Sequence, residues 1–118
     1  MPRLTHIALH VRDLEASVAF YKRYCGLHET HRREGDPAAA CVVWLAEPGR
    51  ERELIVVLLS GGPERHTVGS DFAHLGFAVE SREAVDAVAA RAKEAGCLAW
   101  PPCEEPYPVG YYCGVRDP

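Results

Sequence analysis

Along the chain, apolar and polar positions first alternate and then fall into helical spacing. Leu4 to Val11 is a short run of strand formers in which His6, Ala8 and His10 share one face and Ile7, Leu9 and Val11 the other. Asp13 then stands as a cap before Leu14, Val18, Tyr21 and Cys25, which recur every three or four residues, and Gly26 closes that helix. The polar stretch His28 to Glu34 is expected as an edge strand or a loop. Asp36-Pro37 breaks the chain before a strand at Ala39 to Ala46, and the turn Glu47-Pro48-Gly49-Arg50 folds it back into a strand at Glu53 to Leu59.

Ser60-Gly61-Gly62-Pro63 opens a linker over residues 61–71, after which the same order begins again. A strand is expected over Phe72 to Glu80, then the N-cap Ser81, then a helix with Val85, Val88, Ala89 and Ala92 on one face, closed by Gly96. A short strand near Cys97 to Trp100, a Pro-rich loop to Pro108 and a strand at Gly110 to Arg116 follow. A constant offset of 68 sets His6 on His74, Val11 on Val79, Asp13 on Ser81, Glu15 on Glu83 and Ala16 on Ala84. A unit that recurs only once points to two packed modules and not to a solenoid, which needs several repeats to cover its faces. The expectation is an α+β protein, one domain over residues 1–118, with module one at 1–60 and module two at 72–118. By the plan of the first module one more strand is owed after Pro118, so the second is expected to be incomplete.

The repeat changes the reading of the histidines. In each copy the bulky hydrophobes lie on one strand face and the histidine lies among small residues on the other, Ala8 beside His6 and Gly76 and Ala78 beside His74. Small neighbours leave room for a cavity. Two converging neutral imidazoles suit Zn²⁺, Fe²⁺, Mn²⁺, Ni²⁺ or Co²⁺; the plainer alternative is a pair of core histidines satisfied by backbone or water. Two ligands are too few for a catalytic metal, which takes at least three from the protein and keeps a position open.

Composition narrows the field. With 118 residues, 47% of them hydrophobic and 25% charged, the chain reads as a soluble globular domain, and a net charge of −4 offers no basic field for nucleic acid. Charge appears within a few residues of the N-terminus and no apolar run reaches transmembrane length, so a cytoplasmic protein without membrane contact is expected. The five cysteines, Cys25, Cys41, Cys97, Cys103 and Cys113, are odd in number and form no CxxC pair, which disfavours both a disulfide framework and a thiolate zinc site.

His6-Ile-Ala-Leu-His-Val-Arg-Asp-Leu-Glu-Ala-Ser-Val-Ala-Phe-Tyr21, followed by Gly26-Leu27, resembles the opening signature of the vicinal oxygen chelate superfamily, which joins glyoxalases, bleomycin resistance proteins and extradiol dioxygenases. Ala73-His74-Leu-Gly-Phe-Ala-Val79 and Val115-Arg-Asp-Pro118 are similar to its second-module strand and to the start of its Asp-Pro-Asp-Gly turn. The resemblance implies paired βαβββ modules forming a U-shaped mixed sheet around a metal, a small-molecule substrate and a homodimer. It places metal ligands at His6 and His74, and a third, a glutamate on the final strand, beyond Pro118. A fourth ligand found in many members falls near Val56, where this chain has no side chain able to bind a metal.

That departure disfavours a glyoxalase I or epimerase site and favours two histidines with one carboxylate, a set used by non-haem Fe²⁺ dioxygenases and, around Mn²⁺, by fosfomycin enzymes. Ala8 stands where the fosfomycin enzymes tend to carry threonine. If the reaction needs a general base, His10 and Tyr112 are the candidate catalytic residues, and Trp44, Val56 and Tyr112 are the candidate lining residues. The expected function is divalent-metal-dependent lyase, dioxygenase or thiol transferase chemistry on a molecule held through vicinal oxygens. The alternative is a metal-free small-molecule binder that sequesters an antibiotic, as bleomycin resistance proteins do.

Overall fold

The computed structural model describes residues 1–37, 39–63 and 72–118. Eight elements follow in order: β1 (His6–His10), α1 (Leu14–Cys25), β2 (His28–Glu34), β3 (Cys41–Ala46), β4 (Ile55–Leu59), α2 (Arg82–Glu94), β5 (Leu98–Glu105) and β6 (Gly110–Val115). The chain divides into two compact units, Met1–Phe72 and Ala73–Asp117. Of the expected linker over residues 61–71, residues 64–71 lie outside the described residues.

In unit one the expected strand, helix and three strands are all present. Asp13 caps α1 by accepting from the Ala16 N–H at 3.0 Å, and Gly26 ends it at φ 66, a left-handed conformation that costs least at glycine. The polar run His28–Glu34 is the edge strand of a four-stranded mixed sheet ordered β1-β4-β3-β2, with β1 parallel to β4 and the other pairs antiparallel. Both β3 and β4 begin two residues later than the pattern predicts, at Cys41 and Ile55, because ladder pairing and not hydropathy sets their ends.

Cross-strand partners share a face, so the register sorts the side chains of this sheet. Ile7, Leu9, Val56, Leu58, Val43 and Leu45 lie on the side shared with α1, where Leu58, Val43 and Leu45 are fully buried and Leu14, Val18 and Tyr21 of the helix are also in the core. The other side carries His6, Ala8 and His10, then Ile55, Val57 and Leu59, then Val42, Trp44 and Ala46. A β-bulge between Glu29 and His31 leaves Thr30 without a ladder partner and shifts the phase of β2. His28, His31 and Arg33 therefore join the histidine side, while Glu29, Arg32 and Glu34 turn to the helix side. Arg32 there reaches Glu15 of α1 at 2.5 Å and Glu29 at 2.7 Å.

Unit two opens differently from its counterpart. Phe72 to Glu80, expected as a strand, forms none, and His74 is exposed. In unit one β1 is a strand because β4 supplies its ladder, and among the described residues no strand holds the place of β4 in unit two. Ser81 caps α2 as predicted, and Ala89 and Ala92 bury its inner face, with Val85 and Val88 half-buried.

The stretch expected as a short strand followed by a Pro-rich loop is instead one long strand, β5, which runs through Pro101 and Pro102 and pairs antiparallel with β6. Register shifts between Leu98 and Trp100 and between Trp100 and Cys103 explain the difference. The prolines fall where the ladder is interrupted, so their missing N–H groups cost no bond.

Candidate functional site

On the histidine side of unit one, the register lays out three rows across the sheet. They run His6–Ile55–Ala46–His28, Ala8–Val57–Trp44–His31 and His10–Leu59–Val42–Arg33. Each row is four strands wide, about 14 Å at the usual strand spacing. Imidazoles stand at the β1 end of the first and third rows, an imidazole or a guanidinium at the β2 end of all three, and apolar side chains in the middle. Val42, Ala46 and Val57 are buried and Trp44 is half-buried, whereas His6, His10, His31 and Arg33 are exposed.

His6 Nδ1 lies 3.0 Å from the Thr5 hydroxyl, which leaves Nε2 on the other edge of the ring. His28 Nε2 meets Glu51 Oε1 at 3.0 Å. Around Trp44 the contacts are denser: His31 lies 5.1 Å away ring to ring, and the Arg33 guanidinium sits 5.3 Å from the indole centroid. The Thr30 hydroxyl donates to the Trp44 carbonyl at 3.2 Å, which ties the bulged residue to the strand it bulges from.

Unit two builds its counterpart on the side of the β5–β6 hairpin away from α2. Tyr111 and Cys113 point to the helix, where the Tyr111 hydroxyl donates to Asp86 at 2.5 Å and the Cys113 thiol to the Val85 carbonyl at 3.9 Å. Tyr112, Cys103 and Trp100 alternate to the opposite side. Trp100 stands between His74 and Tyr112, with its ring edge-on to both at 6.2 and 6.5 Å. The Cys103 thiol, hydrogen-bonded to Tyr112 and adding its own negative charge when ionised, pushes the phenol above its ordinary pKa. The phenol is thus held protonated at neutral pH, which speaks against the general-base role expected of Tyr112.

The candidates of the sequence reading thus fall into two groups. His6, His10 and Trp44 share one face of unit one; His74 and Tyr112 share a cluster in unit two. Val56 corrects the expected lining: it pairs with Ile7 and lies on the helix side, and the β4 residues that share a face with His6 are Ile55, Val57 and Leu59. The cause is a displacement of one residue, which in a strand moves a side chain to the other face. None of those three side chains can bind a metal either.

His31, Arg33, Trp100 and Cys103 are additional to the candidates. Trp44 and Tyr112 are related by the offset of 68 that relates His6 to His74, and their cross-strand partners are His31 and Cys103. Extending the repeat through the third strand of module one would have found that pair. Among the described residues no three His, Cys, Asp or Glu side chains converge as a metal site, so these residues do not complete one by themselves. A groove of about 550 Å³ on the α2 side of unit two, lined by Asp86, Lys93, Leu98 and Pro101 among others, contains none of the candidates.

Comparison with known proteins agrees with this layout. The chain is 55% identical over 117 residues to an uncharacterised protein of Pseudomonas aeruginosa, covering 99% of this chain and 82% of that one. A possible glyoxalase from Bacillus cereus superposes with a TM-score of 0.72 at 28% identity, over 98% of this chain and 89% of the other. The fosfomycin resistance protein FosX of Listeria monocytogenes, complexed with Mn(II) and 1S,2S-dihydroxypropylphosphonic acid, shares the fold with a TM-score of 0.68 at 22% identity, over 99% and 86% of the two chains. The α+β architecture is thus of the glyoxalase type. A family model matches from residue 3 to residue 118, across both histidine-bearing units, and the chain belongs to the Glyoxalase/Bleomycin resistance protein/Dioxygenase superfamily.

Proposed function

We propose that this protein is a divalent-metal-dependent enzyme that acts on a small molecule held through vicinal oxygens, by lyase, dioxygenase or thiol transferase chemistry. His6 and His74 are two ligands, and a carboxylate from outside the described residues is the third. Zn²⁺, Fe²⁺, Mn²⁺, Ni²⁺ and Co²⁺ all suit that set. The observation that carries the reading is the repeat: each unit has its histidine and an aromatic, Trp44 or Tyr112, at equivalent positions of the chain, and in unit one both lie on the sheet face away from α1. Mn(II) in the FosX complex supports metal use in this superfamily.

In this reading His10, two residues from His6 on the same face, is the proton acceptor, and Tyr112, held protonated beside Cys103, is the donor. Trp44 and Tyr112 shape the walls. The assembly is a homodimer and the setting cytoplasmic; no helix among the described residues is long and apolar enough to cross a membrane.

Elemental analysis tests the proposal. Protein purified without chelator and offered each of the five metals is expected to retain about one equivalent of at least one of them, and His6→Ala and His74→Ala are each expected to lose it. Retention of none by the wild type would withdraw the metal and leave the metal-free binding protein as the reading.

A further inference from the structure

The β2 end of the histidine face in unit one has a composition that the metal does not explain. Its strand positions are His28, His31 and Arg33, with no carboxylate among them; the acidic residues of β2, Glu29 and Glu34, point to the other side, and Glu51 reaches this end from outside the strands, at His28. This distribution depends on the Thr30 bulge. Without it, His31 would turn toward α1, and Arg33 with it.

Arg33 is held for use. One face of its guanidinium lies over Trp44, Nη1 meets Asp36 Oδ2 at 3.4 Å, and the side chain remains 58% exposed. A guanidinium has five N–H donors in a planar fork, so one long contact to Asp36 leaves most of the fork for a second acceptor. The guanidinium is held against the indole, and His31 lies 5.1 Å from the same ring. The chain as a whole carries a net charge of −4, so attraction for an anion here is local and not a property of the overall field.

We propose that Arg33, oriented by Trp44 and flanked by His31, binds the anionic group of the substrate, a carboxylate or a phosphonate, at the β2 edge of the sheet. Of the apolar positions between this edge and the β1 histidines, Val42 and Val57 are buried, and Trp44 and Leu59 keep part of their surface exposed for an apolar body to lie against. The selected molecule is therefore an anion with an apolar body, long enough to lie across strands about 4.8 Å apart. The assignment rests on reading the histidine face as the substrate side of the sheet.

The test uses the full chain, stripped of metal with chelator, and titrates it with benzoate, phenylphosphonate and benzamide while following the Trp44 indole N–H resonance, assigned with Trp44→Phe. At least one anion is expected to bind about tenfold or more tighter than benzamide. Arg33→Gln should abolish that advantage, Arg33→Lys retain part of it, and Arg23→Gln, on the exposed surface of α1, keep it whole. Whichever of the two anions binds identifies the acidic group. Equal binding of benzamide, a response confined to the Trp100 indole, or wild-type anion binding by an Arg33→Gln protein with a native circular dichroism spectrum would overturn the proposal. Retention of no metal by protein offered all five, with the anion preference intact, would refute the metal-dependent function and leave this site standing; metal retention without an anion preference would do the reverse.

Discussion

Gly114 shows how tightly one side chain can be specified. A Cβ built there would lie 2.7 Å from Trp100 Cδ2 and closer still to Cε3, so the indole rests on bare backbone and its position between His74 and Tyr112 depends on it. Gly114→Ala should cost about 2 kcal/mol by forcing the ring aside, read as a lower urea midpoint together with a shift in tryptophan emission. Ser17 makes the opposite case. It is 1% exposed in the α1 interface, and its hydroxyl has no hydrogen-bond partner among the described residues. Ser17→Ala should raise stability by about 1 kcal/mol, because removing a buried, unpaired hydroxyl recovers its desolvation cost. Neither residue was legible in the sequence: helical spacing marks Leu14, Val18 and Tyr21 but is silent on a serine between them, and a strand glycine does not reveal the ring that lies on it.

At the scale of elements, the helices were legible almost to the residue because their ends carry local chemistry. Asp13, Ser81 and Gly26 stand where the cap readings put them. The strands were legible only where they alternate. In β2 strict alternation would set His28, Thr30 and Arg32 on one face, and the bulge sets His28, His31 and Arg33 there instead. Arg32, sent to the helix side, clamps the edge strand to α1 through Glu15 and Glu29. The hydrogen bond from Arg32 is the main reason that Glu29 ionises below its ordinary value of 4.5. A carboxyl depressed in the folded state stabilises the fold above its unfolded pKa, and that contribution is lost as the pH falls through the folded value. The stability gap between wild type and Arg32→Gln should therefore narrow as the pH is lowered from about 6 to about 3, with both followed by urea titration. The pair is largely solvated, so the gap is expected to be small and to shrink in salt.

Over the whole molecule, the repeat was the most legible feature and the ladder of unit two the least. An offset of 68 is a property of the chain, whereas a strand at Phe72 to Glu80 depends on a partner that no local pattern can supply. The cysteines behave as their number suggested, all five free. The thermal midpoint should stay within about 1 °C with and without reductant, since no covalent loop closure is lost, and a larger drop in reductant would contradict the free thiols. The Thr30 bulge also bears on how this chain is to be aligned with its relatives. Deleting Thr30 would straighten β2 and leave every remaining side chain on its present face, while a replacement that let the ladder close around residue 30 would send His31 and Arg33 to the other side. A gap at this position is thus the milder event, and an ungapped column can conceal a change of ligand.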